Sequence, residues 1–485
     1  MPRSQSNLAW RTLLDLEFSP PGPFHLRLTH ALRAAIRDGV LASASTLPPS
    51  RMLAVDLGCS RWAVTEAYTQ LVAEGYLEAR VGAGTRVSWR DEPPSLAPTP
   101  TAPGALTAGL DLAPGLPDLR AFPRTRWLAS MRTATAALPY PRLGYPVPGG
   151  DPDLRRVLAA YLRRVRGAVL DPSELTICHG VTDAITRLCP LMRAVGVRAV
   201  AVEDPGWPVL REVVVRAGLE VAPVPVDRDG LRTDLLDRCP RVRAVVISPA
   251  HQFPTGAVLA PERRSRLIGW ARRVDALIIE DDYDAEFRYD RRPIGTVQGM
   301  DPARVALAGS LSKTMSPGLG IGWLATPPRW TRRLRETDSG RTAPSIIDQL
   351  TFADFLESGG YDRHLRGAVT RYRTRRDLLL GALADHLPGS TVSGAAAGLH
   401  LLVQPGRGPT APGAVGESLV ESAARHGVRI ACIEQYRVHN RTLDGALVLG
   451  YGNLTDHQIV PAVSRLAEAV TGARVPAAWR DQETP

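Results

Sequence analysis

Apolar residues recur along this chain with two different periods. Near the N-terminus the spacing is helical: Leu28, Leu32, Ala35 and Ile36 fall on one face, and Gly39 sits where a helix would stop. A second short helix is expected to begin near Ser50 and end at Gly58. A third opens with Ser60 as N-cap and places Val64, Ala67, Tyr68 and Leu71 at i, i+3, i+4 and i+7. Further on the pattern changes. Short apolar runs at Val197 to Val202, Ala244 to Ser248, Ala276 to Ile279 and Val305 to Ala308 alternate with helical stretches. Rich in valine, alanine and isoleucine, they read as strands buried on both faces of a mostly parallel sheet.

Between the two regimes lie Pro93, Pro94, Pro98, Pro100 and Pro103 among small and polar residues. That composition predicts a semi-rigid extended tether with no core of its own. The expected organisation is a first domain over 24–88, a Pro-rich linker over 89–108 and a second domain over 109–472. A chain of 485 residues is too long for one hydrophobic core, so more than one domain is required. Hydrophobic residues make up 44% and charged residues 22%, as in a globular protein. No apolar run reaches membrane-spanning length. Five scattered cysteines argue against a disulfide framework or a metal site and for a reducing, cytoplasmic setting. The net charge of +10 is built on arginine, which favours contact with phosphates and other anions.

Two helices joined by a tight glycine-containing turn form a helix-turn-helix pattern. Arg61, Trp62 and Thr65 then share the exposed first turn of the third helix, the part of a recognition helix that meets base edges. The glycines of Val81-Gly82-Ala83-Gly84-Thr85 permit a thin hairpin tip. Leu47-Pro48-Pro49-Ser50-Arg51, Leu57-Gly58-Cys59-Ser60-Arg61, Glu74-Gly75-Tyr76-Leu77 and Gly82-Ala83-Gly84-Thr85 resemble the α+β winged helix-turn-helix of GntR-type regulators. The resemblance implies DNA contacts at Arg51, Arg61, Trp62, Thr65 and Gly82. Trp62 replaces a small hydroxyl residue and Thr65 an arginine, so the operator does not carry over.

Lys313 is the only lysine; the other 58 of the 59 basic side chains are arginine. Arginine stays protonated and cannot serve as an amine nucleophile. A single retained lysine therefore points to Schiff-base chemistry with an aldehyde such as that of pyridoxal 5'-phosphate. The ends of the apolar runs carry matching groups. Gly180-Val181-Thr182 opens a helix whose N–H groups can hold a phosphate, and Trp207 offers an indole face for stacking. Asp281 supplies a carboxylate for a pyridinium and Tyr283 a phenol for the ring hydroxyl, while Ser310 and Ser312 flank the lysine with hydroxyls. Such clusters are expected beyond the carboxyl ends of strands in an α/β sheet.

This half resembles the fold-type I aminotransferases, an α/β class of pyridoxal phosphate-dependent transferases. The whole chain resembles MocR-type regulators, in which a GntR-like reader is fused to an aminotransferase-like domain. Ala113-Pro114-Gly115-Leu116-Pro117-Asp118, Leu143-Gly144-Tyr145, Ser248-Pro249-Ala250-His251-Gln252-Phe253-Pro254-Thr255-Gly256 and Ser358-Gly359-Gly360-Tyr361-Asp362-Arg363-His364 carry that likeness. It implies a Schiff base on Lys313, Asp281 at the pyridine nitrogen, Tyr283 at the phenolic oxygen, Trp207 on the ring, and a homodimer. Three arginines of the pattern are replaced: Gly320 stands at the phosphate contact, Val448 at the substrate carboxylate contact and Val209 at a second ligand contact. An apolar residue there gives no compensation for desolvating a carboxylate, although another arginine could restore the contact. The leading expectation is a regulator that binds operator DNA and senses pyridoxal phosphate or a related ligand, as in the PdxR-type branch linked to vitamin B6 synthesis. The alternatives are a regulator sensing an amino acid, a working aminotransferase, and a regulator whose second domain has lost the cofactor.

Overall fold

The computed structural model describes Trp10, Leu14 and residues 22–80, 84–89, 109–145, 147–289, 294–337, 343–406, 415–439 and 443–473. Contacts divide the chain into two units, Met1–Ala105 and Leu106–Pro485. The expected linker falls almost wholly outside the described residues, as does Gly82.

In the first unit α1 (Phe24–Arg37) buries Leu28, Leu32, Ala35 and Ile36, the stripe that its spacing predicts. Helix α2 (Ser50–Leu57) ends at Gly58, whose φ of 66° lies in the left-handed region that glycine adopts without strain. Helix α3 (Arg61–Ala73) starts at Ser60, whose side chain accepts from the Ala63 N–H and satisfies one unpaired donor of the first turn. Arg33 of α1 grips Glu74, just past α3, through Nε and Nη2 at 2.8 and 2.7 Å. Three short antiparallel strands complete the unit in the order β1-β3-β2: β1 (Thr46–Leu47), β2 (Leu77–Arg80) and β3 (Gly84–Val87). Leu47, Leu77 and Val87 of these strands join the helical stripes in one core.

The second unit opens with β4 (Leu110–Asp111) and is organised on an eight-stranded sheet. Its strands are β5 (Leu175–Cys178), β6 (Ala199–Asp204), β7 (Glu220–Asp227), β8 (Gly230–Leu231), β9 (Val242–Ile247), β10 (Leu277–Asp281), β11 (Val305–Ser310) and β12 (Gly322–Ala325). Their order is β5-β12-β11-β10-β9-β6-β7-β8, parallel from β7 through β11, with β12 antiparallel to both neighbours. Helix α4 (Pro152–Arg166) is tied to the sheet through Arg166, which forms a fully buried two-pronged pair with Asp282 at 2.8 Å on each prong. Helices α5 (Val181–Ala194), α6 (Pro208–Arg216) and α7 (Pro261–Val274) connect successive strands, and separate apolar clusters fill the sheet's two faces.

A smaller antiparallel sheet follows, ordered β13-β14-β17-β16, from β13 (Thr391–Ser393), β14 (His400–Gln404), β16 (Ala431–Cys432) and β17 (Leu447–Gly450). Beside it β15 (Val428–Arg429) pairs in parallel with β4. No helix among the described residues is long and apolar enough to cross a membrane.

The strands run further than their apolar stretches. Strand β6 continues through Glu203 and Asp204, β10 through Glu280 and Asp281, and β11 through Gly309 and Ser310. A parallel ladder requires only backbone groups, so it extends past the last apolar side chain. Asp281 and Ser310 are thereby strand residues, held more rigidly than loop residues would be.

Candidate functional site

Two separate sets of residues carry the chemistry. In the first unit Arg51, Arg61 and Thr65 are exposed, and Trp62 is 62% exposed. Arg51 lies in the first turn of α2, the other three in the first two turns of α3. The face is ordered by neighbours within the unit. Arg61 Nε reaches Ser50 Oγ at 3.4 Å, the Thr65 hydroxyl donates to the Arg61 carbonyl at 3.0 Å, and the Trp62 ring meets His25 edge-on at 5.1 Å between centroids.

In the second unit the carboxyl ends of β6, β9, β10 and β11 surround a cavity of about 440 Å³. That is within the usual range for small-ligand pockets. All nine residues that the sequence points to here line it: Gly180, Val181, Thr182, Trp207, Asp281, Tyr283, Ser310, Ser312 and Lys313. Gly180 adopts φ 128°, and a Cβ on Gly322 would lie 2.5 Å from its Cα, so close backbone approach shapes this end of the cavity. The Lys313 ammonium donates to the Gly115 carbonyl at 2.6 Å. Burial pulls its pKa down, against Asp284 and Asp281, which favour the charged form. The segment after the lysine is pinned by the Ser358 to His364 motif: Tyr361 donates to Thr314 Oγ1 at 3.0 Å, and His364 Nε2 lies 2.7 Å from the Thr314 carbonyl.

Asp281 is the least satisfied group. Its Oδ1 is buried without a hydrogen-bond partner. Burial, followed by the charges of Asp282 and Asp284, pushes its carboxyl up to about 8. A cationic N–H donor entering the cavity would relieve both penalties. Beside it Tyr283 OH lies 3.1 Å from His251 Nδ1, which is itself 2.8 Å from Asp284 Oδ2. Burial raises the phenol well above its ordinary value. Glu203, on the cavity wall, is pushed up to about 8 by burial and accepts from the Ser248 N–H.

Several cavity residues were not singled out from the sequence. His179 directly precedes Gly180, and its Nδ1 lies 3.2 Å from the carbonyl of Gly320, which stands where the resembled pattern has an arginine. Tyr436 and His400 come from the C-terminal segment, Asp284 from beyond β10, and Arg211 from α6. Only Arg211 had a usable signal, standing four residues after Trp207 on the same helical face. Neither valine at a replaced arginine lines the cavity. Val209 is half-buried against the apolar cluster that includes Leu210 and Val213, and Val448 is fully buried with Leu402 and Ile433.

Residues 112–466 match the family described as Aminotransferase class I and II, and residues 25–87 match Bacterial regulatory proteins, gntR family. The chain is 31% identical over 481 residues to the "Probable rhizopine catabolism regulatory protein MocR" of Rhizobium meliloti, covering 94% of this chain and 96% of that one. It is 29% identical over 464 residues to the "HTH-type pyridoxine biosynthesis transcriptional regulator PdxR" of Corynebacterium glutamicum, covering 94% and 99%. Among solved structures, an archaeal alanine:glyoxylate aminotransferase superposes with a TM-score of 0.69 at 26% identity, over 75% of this chain and 91% of that one. The chain therefore belongs to the class I and II aminotransferase family and, with its gntR-family segment, to the MocR- and PdxR-type transcriptional regulators.

Proposed function

We propose that this regulator binds pyridoxal phosphate in the cavity of its second unit and changes its affinity for operator DNA in response. The observation that carries the reading is Asp281 Oδ1, buried and unpartnered in the same cavity as the only lysine of the chain. When bound, the cofactor supplies an aldehyde able to condense with an amine and a pyridine nitrogen able to take a proton. Lys313 is the amine, and burial favours its neutral, nucleophilic form. Asp281 would hold the proton of a pyridinium, and Tyr283 would donate to the ring oxygen. Trp207 would cover one ring face. The N–H groups of Gly180, Val181 and Thr182 and the hydroxyls of Ser310 and Ser312 would receive the phosphate. On the DNA side, Arg51, Arg61, Trp62 and Thr65 would meet the operator, together with Gly82 of the wing.

A role in vitamin B6 control is supported by the pyridoxine-biosynthesis regulator among the relatives and by the valines at two ligand-arginine positions. A homodimer is supported by the apolar stretch of Tyr140, Leu143, Tyr145 and Val147, each more than half exposed, which a second copy would cover. The intact set of Lys313, Asp281 and Tyr283 also favours a residual aminotransferase half-reaction as a second reading.

The test uses DNA selected from a random pool by the full-length protein. Titrations with and without pyridoxal phosphate should differ by about 1–3 kcal/mol in binding free energy, the usual size of an allosteric coupling. Equal affinities would refute the sensor reading, and sustained turnover with a keto-acid acceptor would favour the enzyme.

A further inference from the structure

Arg211 is the one arginine among the described residues that line the cavity, in a chain that has 58. It lies four residues after Trp207, the N-cap of α6, and so shares the face that Trp207 presents to the cavity. Val209 between them is half-buried against an apolar cluster and does not line the cavity, so the helix register itself favours position 211 over 209.

The guanidinium is already oriented. Nη1 donates to the Gly206 carbonyl at 3.0 Å and to the Tyr436 carbonyl at 2.9 Å. Tyr436 O also accepts from the Gly206 N–H, and the Val438 and His439 N–H groups close onto Asp204, so the backbone holding Arg211 is tied on both sides. This leaves the Nε and Nη2 edge, for which no acceptor lies within bonding distance among the described residues. That edge grips carboxylates at several other places in this protein. Arg33 takes Glu74 through it, Arg166 takes Asp282, Arg232 takes Asp234 and Arg429 takes Asp111, at 2.7 to 2.8 Å on most prongs.

From this geometry we infer that Arg211 is a receptor for the carboxylate of a small anionic ligand entering the cavity. The inference rests on the cavity being the ligand-sensing site and adds a ligand class to it. It relocates carboxylate recognition from positions 209 and 448 to a side chain that reaches the ligand space. Burial penalises the Arg211 charge, an effect that nearby Asp204 and Glu212 oppose, and among the described residues no carboxylate forms an ion pair with it. Two of the acids on the cavity wall, Glu203 and Asp281, are pushed up to about 8 and so stay largely protonated at neutral pH. They do not compete with a ligand for the cation. Two parallel N–H groups on a fixed fork match the two oxygens of a carboxylate.

The probes are the linear dicarboxylates from malonate to adipate, each paired with its uncharged diamide. Binding to the full-length, cofactor-treated protein is measured by titration calorimetry. At least one dicarboxylate should bind wild-type protein ten times or more tightly than its diamide. Arg211→Gln should abolish that preference, and Arg211→Lys, a point charge without the fork, should retain only part of it. No preference in the wild type overturns the inference, as does a preference that survives Arg211→Gln. Should circular dichroism show that Arg211→Gln does not fold, an undiminished preference in Arg211→Lys overturns it instead. Inorganic phosphate competing as well as the best dicarboxylate would refute the carboxylate assignment. The parent reading is tested separately by the effect of cofactor on operator binding in the wild type, so either can fail alone.

Discussion

The two candidate sites are built in opposite ways. The set proposed to face DNA is short-range: Arg51 to Thr65 runs from the first turn of α2 through the intervening turn to the start of α3, and its members face water. The cavity draws residues from Pro114 to Tyr436 and buries most of them. Exposed cations keep their hydration and counterions until a polyanion displaces them, so affinity at such a face depends strongly on salt. In the cavity the solvent is already stripped away, and the groups are altered before any ligand arrives. Lys313 is pulled toward its neutral amine and Asp281 toward its neutral acid. The difference teaches that, on the proposed reading, the first surface would respond to charge as such, whereas the second would respond to a ligand that restores charge suppressed by burial.

The largest effect expected on this contrast is at Lys313. Lys313→Ala should eliminate the visible absorbance that pyridoxal phosphate gives with the wild type and the borohydride-stable label on that peptide. A variant that keeps both would remove the lysine from the site.

Next comes Asp281. An aspartate carboxyl ordinarily titrates near 3.8, whereas in the fold it titrates near 8. Between those values the folded chain holds a proton that the unfolded chain lacks, so stability is greatest below pH 4 and falls as pH rises toward 8. Asp281→Asn should flatten that fall in cofactor-free protein by on the order of 2 kcal/mol. Glu203, also pushed up to about 8, should leave a residual slope of the same sign. Melting temperatures measured from pH 5 to 8 decide it: an identical profile in the variant would mean that Asp281 ionises freely.

The smallest effect lies on the DNA side. Arg51→Ala and Arg61→Ala should each weaken operator binding by roughly 1–3 kcal/mol if they contact bases. For phosphate contacts the salt dependence should fall as well. The cofactor absorbance should stay as in the wild type. Unchanged affinity in both variants would misplace the recognition face, and a lost absorbance would break the separation of the two sites.

Helix boundaries in the first unit were legible because their signals are local. Ser60 caps the turn that follows it, and Gly58 takes the left-handed conformation that ends α2. Four of the eight strands of the large sheet were legible as apolar runs, but the ends of three were not, since the backbone ladder carries on through Asp204, Asp281 and Ser310. The single lysine and its polar companions were also readable, because amine chemistry narrows the choice of residue to one position.

What the sequence alone determined, then, is the helices of the first unit, the parallel strands at the centre of the large sheet, the order of the two units and the one residue that can serve as an amine. These depend on nearest neighbours along the chain and on side-chain chemistry. Only the tertiary structure decided which of 58 arginines stands in the cavity, that Val209 and Val448 do not, and that Asp281 lacks a partner. Those outcomes depend on helix register against a core, on backbone carbonyls at Gly206 and Tyr436, and on burial by segments hundreds of residues apart. Backbone acceptors and burial are properties of the folded chain, and no pattern of side chains along the sequence records them.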